Sequence, residues 1–464
     1  MAYTFGEQLK AGAVLKTVAG KNSCGGEAVN VLELLSDKGG QGDVYKVTWN
    51  GKEYALKWYN RIPEKPGIEK DAVGGNQYKT IVALTSRENP SKEFYIWPKV
   101  VVTENGQVKE GELFGYVMDL IPDGFYEMQD YLRSDKDALQ KKFKTFHAMI
   151  RAGMNVVSAV QALHHTGLSY KDLNPGNMVI NPLTGDIRMV DCDNISADNA
   201  PCTVNGTRGY MAPEIVRSGF RQTPNIQTDM FSLAIILFRL FYMDHPMEGK
   251  LWERFPVQTE AVEDELYSLH PVYNMSTKTD INRPTADFAP NVMQRMALLP
   301  MVLMEGFENT FVNGIDQAMG RTPENKWLQI LSTARDQLVF LDPKCEKDRV
   351  VRFDNPKTIP QGCLRMTIGQ RRHELALYPY QSLFKDVLTG SVKDYQERAG
   401  RVMVAQGRLC MQNNSNQVWN VYDPGTGAVT AVPKDGWFYL VKGTQIQFNK
   451  ERQVIGVVDN PLEH

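Results

Sequence analysis

Tyr170-Lys171-Asp172-Leu173-Asn174-Pro175-Gly176-Asn177 is followed, after an apolar strand-loop-strand stretch, by Val190-Asp191-Cys192-Asp193. An acidic residue and an amide five positions apart, then a second acidic residue at the end of an apolar run, is how a metal-dependent phosphotransferase builds its site. In such a site Asp172 accepts the proton of the attacking hydroxyl. Asn177 and Asp191 hold the magnesium ions that bridge the nucleotide phosphates. Magnesium suits this donor set, because it takes a few hard oxygen ligands together with phosphates and water. Taken alone, residues 172–177 read equally well as a turn, since Asn-Pro-Gly is strong turn chemistry. The surrounding chain raises the catalytic reading.

Upstream, Asp37-Lys38-Gly39-Gly40-Gln41-Gly42-Asp43-Val44-Tyr45-Lys46-Val47 lies between predicted strands. Glycines let backbone approach a polyphosphate, and Val44 is placed to cover a purine face. A Gly-rich hairpin is the competing reading. Asn50-Gly51 then supplies a hairpin turn, and the returning strand Glu53-Tyr54-Ala55-Leu56-Lys57-Trp58 carries a lysine inside an apolar run. A buried charge is costly without a partner, and phosphate oxygens would supply one. The alternative for Lys57 is a solvated strand face.

The rest of the chain divides by periodicity. Residues 13–18 and 29–35 read as strands joined by a polar loop, 76–85 as a helix, and 94–102 and 113–121 as strands. From about residue 138 helical spacing takes over. Helices are expected at 142–166 (ended by Gly167), 229–242, 260–268, 290–299, 300–311 and 324–340. His164-His165 reads as an ordinary helix-end pair rather than a ligand. Residues 341–360, charged and carrying Pro343, Pro356 and Pro360, read as a linker, and regularly spaced short strands beyond them predict a β-sandwich or barrel. Leu462-Glu463-His464 reads as the start of an added tag.

Composition bounds the function classes. The 464 residues are 42% hydrophobic and 23% charged, with a net charge of −2, which gives no reason to expect nucleic-acid or membrane-surface binding. No apolar run approaches the ~18 residues of a membrane span, and the N-terminus lacks a basic-then-apolar leader. Six scattered cysteines without a Cys-x-x-Cys pair indicate neither a zinc site nor a disulfide framework, and fit a reducing cytoplasm.

A β-rich lobe, a hinge near 119–124 and an α-rich lobe, with these motifs in this order, resemble the eukaryotic-type protein kinase fold over about residues 28–340. Gly206-Thr207-Arg208-Gly209-Tyr210-Met211-Ala212-Pro213-Glu214 resembles the end of a kinase activation segment. Asp229 matches the buried aspartate of the next helix, and Arg321 the arginine that pairs with the Glu214 position. The resemblance implies an α+β bilobal chain: an N-terminal extension at 1–27, lobes at 28–120 and 121–340, the linker at 341–360 and a small all-β sandwich at 361–461. It implies ATP with Mg2+ or Mn2+ as cofactors. Gly39, Gly40, Gly42, Val44 and Ala55 would line the nucleotide, with Met118 at the gatekeeper position and the backbone of Asp119 and Ile121 on adenine. Lys57 would hold the α/β phosphates, Asp172 would act as base, and Asn177 and Asp191 would hold metal.

The departures from that family are local. Asp37 replaces the first loop glycine, Tyr170-Lys171 a His-Arg pair, and Asn174 a lysine. Asp191-Cys192-Asp193 replaces Asp-Phe-Gly, with Asp193 expected to fix a turn rather than bind metal. No helix glutamate for Lys57 is evident, and Glu69 and Glu88 are the candidates. Asp-Cys-Asp-Asn and Phe94-Tyr95-Ile96-Trp97-Pro98 are similar to a divergent set of bacterial serine/threonine kinases. Those proteins carry a C-terminal β domain and are often encoded beside a PP2C-type phosphatase and a von Willebrand-type protein. The resemblance therefore implies cytoplasmic bacterial signalling, with such partners besides a protein substrate. The last domain faintly resembles a forkhead-associated sandwich but lacks its Ser-x-x-His element. The functional expectation is γ-phosphate transfer to Ser or Thr hydroxyls, with autophosphorylation at Thr203. The alternatives are a pseudokinase scaffold that binds nucleotide and partners without transfer, and a kinase for a small molecule or lipid.

Overall fold

Alternating burial along the early strands closes them into a barrel. The computed structural model describes residues 3–37, 41–61, 72–132, 142–202, 205–340, 348–350, 362–391, 394–449, 451 and 453–459. Strands β1 (Val14–Thr17), β2 (Ala28–Ser36), β3 (Asp43–Trp49), β4 (Lys52–Trp58), β5 (Val100–Thr103) and β6 (Phe114–Met118) are ordered β1-β2-β3-β4-β6-β5, and β1 pairs back onto β5. Every second residue of β3 is buried, so Tyr45, Val47 and Trp49 join Val29, Leu56 and Val117 in one apolar cluster. Asn50 and Gly51 both have positive φ, 49° and 74°, as the two-residue β3–β4 turn demands. Because β1 is a barrel strand, the expected boundary at residue 28 cuts through this unit.

Two expected strands are shorter. Residues 92–94 form a turn, Tyr95 makes an isolated parallel bridge to Met189, Tyr95 and Trp97 are buried, and the strand begins only at Val100. The Tyr95 hydroxyl donates to the Ala159 carbonyl at 2.8 Å. A single bridge to Met189, backed by aromatic packing and not extended into a strand, thus accounts for that apolar run. The second strand stops at Met118. Helix α1 (Asn76–Ser86) lies beside the barrel and buries Gln77, Ile81 and Leu84.

The helical lobe is built on α2 (Met128–Tyr131), α3 (Phe146–His164), α4 (Pro213–Arg217), α5 (Ile226–Tyr242), α6 (Glu260–Asp264), α7 (Pro290–Arg295), α8 (Leu303–Glu308) and α9 (Glu324–Asp336). Short strand pairs β7 (Tyr126–Glu127), β8 (Leu168–Ser169), β9 (Met178–Ile180), β10 (Ile187–Met189) and β11 (Ser196–Ala197) carry the loops between them. Asn225 and Thr228 form a capping box that starts α5. Gly306 lets α8 meet α9: a Cβ there would lie 2.4 Å from the Trp327 ring. The helix expected at 324–340 ends at Asp336, and β12 (Leu338–Phe340) pairs with β13 (Asp348–Val350). Leu338 packs into the helical core and Val339 against Ala376. Burial of consecutive residues toward opposite sides suits a strand rather than a helix.

Beyond residue 361 the chain forms a sandwich. Its strands are β14 (Gly362–Ile368), β15 (Arg371–Leu377), β16 (Ser382–Phe384), β17 (Arg398–Ala405), β18 (Arg408–Asn413), β19 (Trp419–Tyr422), β20 (Val429–Val432), β21 (Trp437–Tyr439), β22 (Gln445–Asn449) and β23 (Val454–Asp459), with α10 (Lys385–Thr389) after β16. One sheet runs β15-β14-β23-β22-β19-β20 and the other β16-β17-β18-β21. Trp419 fills the space between them, edge-on to Phe448 at 4.8 Å. The sandwich is seated on α9 by a buried ionic network. Arg335 donates to Asp336 at 2.8 Å and to Asp386 at 3.2 Å, and His373 bonds Asp336 at 2.7 Å. The Arg335 guanidinium also lies 4.0 Å from the Phe384 ring centroid. Residues 462–464, read as an added tag, and most of the expected linker lie outside the described residues.

His164 is not an ordinary helix-end residue. Its side chain, 5% exposed, lies between α5 and α9, bonding Asp229 at 3.1 Å through Nε2 and Glu324 at 2.5 Å through Nδ1. Burial disfavours the imidazolium, but the two carboxylates outweigh it and hold the pKa at about 9. A pKa raised in the folded state gives stability that is complete below about pH 6.5 and lost as pH rises through 9. Unfolding free energy is therefore expected to fall by on the order of 3 kcal/mol across that window. Denaturant titrations at several pH values check this, and His164→Asn should remove that part of the slope. In the same assay Arg335→Ala, which strands two buried carboxylates, should cost about 3–5 kcal/mol and lower the midpoint at which the sandwich loses protection from proteolysis.

Candidate active site

Strand register assembles one wall. Val44 lies opposite Lys57, Ala55 opposite Met118, and Lys57 opposite Tyr116. Side chains on a strand alternate, so Val44, Ala55, Lys57 and Met118 share one face. Gly42 sits just before β3, where a Cβ would come 2.0 Å from the Trp58 carbonyl oxygen. Only glycine permits that approach. Gly39 and Gly40 fall outside the described residues. Asp119 and Ile121 follow β6 at the junction of the lobes, and the Asp119 carboxylate pairs with Lys99 at 3.0 Å.

Residues 172–177 form the turn that the Asn-Pro-Gly chemistry predicts. Pro175–Asn177 is a single helical turn, started by Asn174, whose Oδ1 accepts from the Gly176 N–H at 2.9 Å. The Asn174 amide donates to the Asp172 carboxylate at 3.1 Å and to Thr207 at 3.0 Å. Thr207 donates to Asp172 at 2.7 Å, and the Asn177 amide to the Asp172 carbonyl at 2.9 Å. Asn174 thus orients the carboxylate, beyond merely removing a cation from the site.

Asp229, buried in α5, holds the loop from below. It accepts the backbone N–H of Tyr170 at 2.5 Å and of Lys171 at 3.0 Å. The Tyr170 hydroxyl donates to the Val190 carbonyl and, at 3.3 Å, to that of Asn177, which ties the loop to the residue before Asp191. Lys171 is buried and donates to the Ala200 carbonyl at 2.6 Å, and burial lowers its pKa. Lys171 and Asp191 both have positive φ, 69° and 55°. Non-glycine residues in that region store strain, which tends to gather at functional sites. At the end of the activation segment Arg321 grips Glu214 through two bonds of 2.8 and 2.7 Å, as expected.

Lys57 meets two carboxylates. Its ammonium contacts Asp191 directly and Asp193 at 2.7 Å. Asp193 is fully buried, so it does more than fix a turn, and its Oδ2 also accepts from the Tyr59 hydroxyl. Burial opposes the Lys57 charge, but the carboxylates override it and raise the pKa. Burial and the Asp193 charge push Asp191 up against the pull of Lys57. Of the expected helix glutamates, Glu88 lies 3.9 Å from Lys21 and α1 contains no acid at all, while Glu69 is outside the described residues. Gln77 stands there instead and donates to the Asp193 carbonyl at 2.8 Å. Cys192 fills the phenylalanine position within the core that holds Tyr170 and Ile81, and burial pushes its thiol well up. Sequence reasoning missed Tyr59, Gln77 and the Tyr170 hydroxyl. A tyrosine two residues beyond an apolar-strand lysine was the available signal for the first.

Comparison with known proteins identifies the family. The protein kinase domain family model matches residues 37–296. The catalytic subunit of cAMP-dependent protein kinase from Schizosaccharomyces pombe is 30% identical over 188 residues, 38% of this chain and 34% of that protein. The serine/threonine-protein kinase PknG of Mycolicibacterium smegmatis is 30% identical over 110 residues, 24% of this chain and 14% of that one. The chain spans about a third or less of the length of these curated relatives. The kinase PK-1 of Cydia pomonella granulovirus superposes with a TM-score of 0.44 at 12% identity, covering 65% of this chain and 94% of that one. The family match takes in more than half of the chain, including every motif from the glycine loop to Glu214, and by it the chain belongs to the protein kinase family.

Proposed function

We propose that this chain is an ATP-dependent protein kinase that transfers the γ-phosphate to Ser or Thr hydroxyls. The observation that carries the reading is the Asp172 carboxylate, held by Asn174 and Thr207 and placed beside Asn177. A carboxylate fixed in this way can align a substrate hydroxyl and accept its proton. Lys57, on the opposite wall, is the cation for the α/β phosphates. Gly42 packs its backbone against the Trp58 carbonyl beside this wall, and the oxygen donors of Asn177 and Asp191 suit magnesium or manganese. Bound there, the metal would neutralise charge on the phosphates. Positioning and electrostatics supply the rest of the catalysis.

Thr207 bonds Asp172 and is thereby engaged, which leaves Thr203, outside the described residues, as the proposed autophosphorylation site. Bacterial signalling in the cytoplasm, with a PP2C-type phosphatase and a von Willebrand-type protein as partners, is proposed from the sequence resemblance, and similarity to PknG supports the bacterial setting. A nucleotide-binding scaffold is the second reading. It draws on one contact, Lys57 with Asp191, which a bound nucleotide and metal must rearrange.

Labelled ATP with magnesium or manganese separates the two. The intact chain is expected to label itself or a generic protein substrate, and Asp172→Ala to reduce transfer by roughly 10²–10⁴-fold. Asp191→Ala should abolish it and weaken nucleotide binding as well. ATP binding without transfer by the intact chain would select the scaffold. Mass spectrometry locating no phosphate between residues 194 and 210 would remove the autophosphorylation proposal.

A further inference from the structure

We infer that Asp193 supplies the carboxylate that positions Lys57, in place of a helix glutamate, and that α1 does not carry this contact. The inference rests on the kinase reading above and deepens it. Three observations support it. First, α1 contains no acidic residue, and Gln77, its buried residue facing the site, turns a donor toward Asp193 rather than an acceptor toward Lys57. Second, Asp193 is 1% exposed and its Oδ2 takes both Lys57 and Tyr59. A buried carboxylate with two donors is costly to displace. Third, Asp191, the other partner of Lys57, is the residue proposed to turn to metal. When it does, Asp193 remains.

The arrangement differs in kind from a helix-borne partner. Asp193 lies two residues from Asp191, in the same turn (Cys192–Asn194). The partner of the lysine and the metal ligand therefore move as one unit. Gln77 ties α1 to that unit only through a neutral hydrogen bond, so displacement of α1 would leave the Lys57 ion pair standing. Asp193 is a positioning residue: it acts through Lys57 and need not touch substrate.

Four proteins test this: the intact chain, Asp193→Asn, Gln77→Glu and the double variant. Asp193→Asn is expected to lower kcat/KM for ATP by about a hundredfold, the scale of a reacting group misplaced by ~1 Å, with KM for ATP raised. Gln77→Glu alone should give no gain. In the Asp193→Asn background it should restore about tenfold or more, because it returns a carboxylate to the helix. A merely structural role for Asp193 would lower the melting temperature and leave KM for ATP unchanged, and that outcome overturns the inference. So does an Asp193→Asn variant within about twofold of the intact chain, or a folded double variant with no recovery. Were the intact chain to bind no ATP, the kinase reading would fall on its own. Melting temperatures of the same four proteins would then decide, with recovery in the double variant supporting the pairing and its absence overturning it.

Discussion

A single buried ammonium sets the terms for the site. Lys57 is 6% exposed inside a barrel strand and needs negative charge around it. The chain answers with Asp191 and Asp193 from one turn in the other lobe. The pair of contacts crosses the boundary between the barrel and the helices, so it also fixes how the two lobes meet. Tyr59 and Gln77 complete the set by bonding Asp193 from the barrel side and from α1. Removal of Lys57 would leave the buried Asp193 carboxylate uncompensated in a low-dielectric setting, where such a group costs several kcal/mol.

Asp229 plays a similar part deeper in the helical lobe. It accepts two backbone N–H groups of the loop before Asp172 and also bonds His164. His164 in turn reaches Glu324 on α9, the helix on which the sandwich sits. One chain of polar contacts thus runs from the loop before Asp172 to the helix bearing the last domain, through residues far apart in sequence. Each link is buried, and each buried polar group in it has a partner of opposite character, as stability requires.

Much of this was legible in the sequence. The loop 172–177, Asp191, Lys57, the ending at Glu214 and Arg321 are local signatures whose residue types follow from their chemistry. The hairpin at Asn50-Gly51 and most strands of the last domain, expected as a sandwich or a barrel, are legible for the same reason: turn chemistry and alternation are short-range. What was not legible depends on contacts across the chain. Asp193 reads as a turn residue because nothing within a few positions reveals that Lys57 will arrive beside it, 136 residues away in sequence. Residues 94–97 read as strand because buried aromatics and strands share a composition. The helix expected to run to 340 stops at Asp336 because Leu338 and Val339 serve two different domains, and no local pattern marks a domain contact. His164 looks ordinary until Asp229 and Glu324 are placed around it.

Closure of the barrel by β1 bears on how the small lobe can meet other proteins. An open sheet ends in strands with unpaired N–H and C=O groups, which invite another chain to add a strand. Here β1 joins β2 to β5, and every strand of the ring has two neighbours. Where those strands pair, a partner has no backbone edge to extend and must recognise this lobe through side chains. The sandwich is different. Its six-stranded sheet ends at β20, where Val429 is 66% exposed. That edge is open to backbone-directed association by strand addition in a way that the paired ring of the small lobe is not.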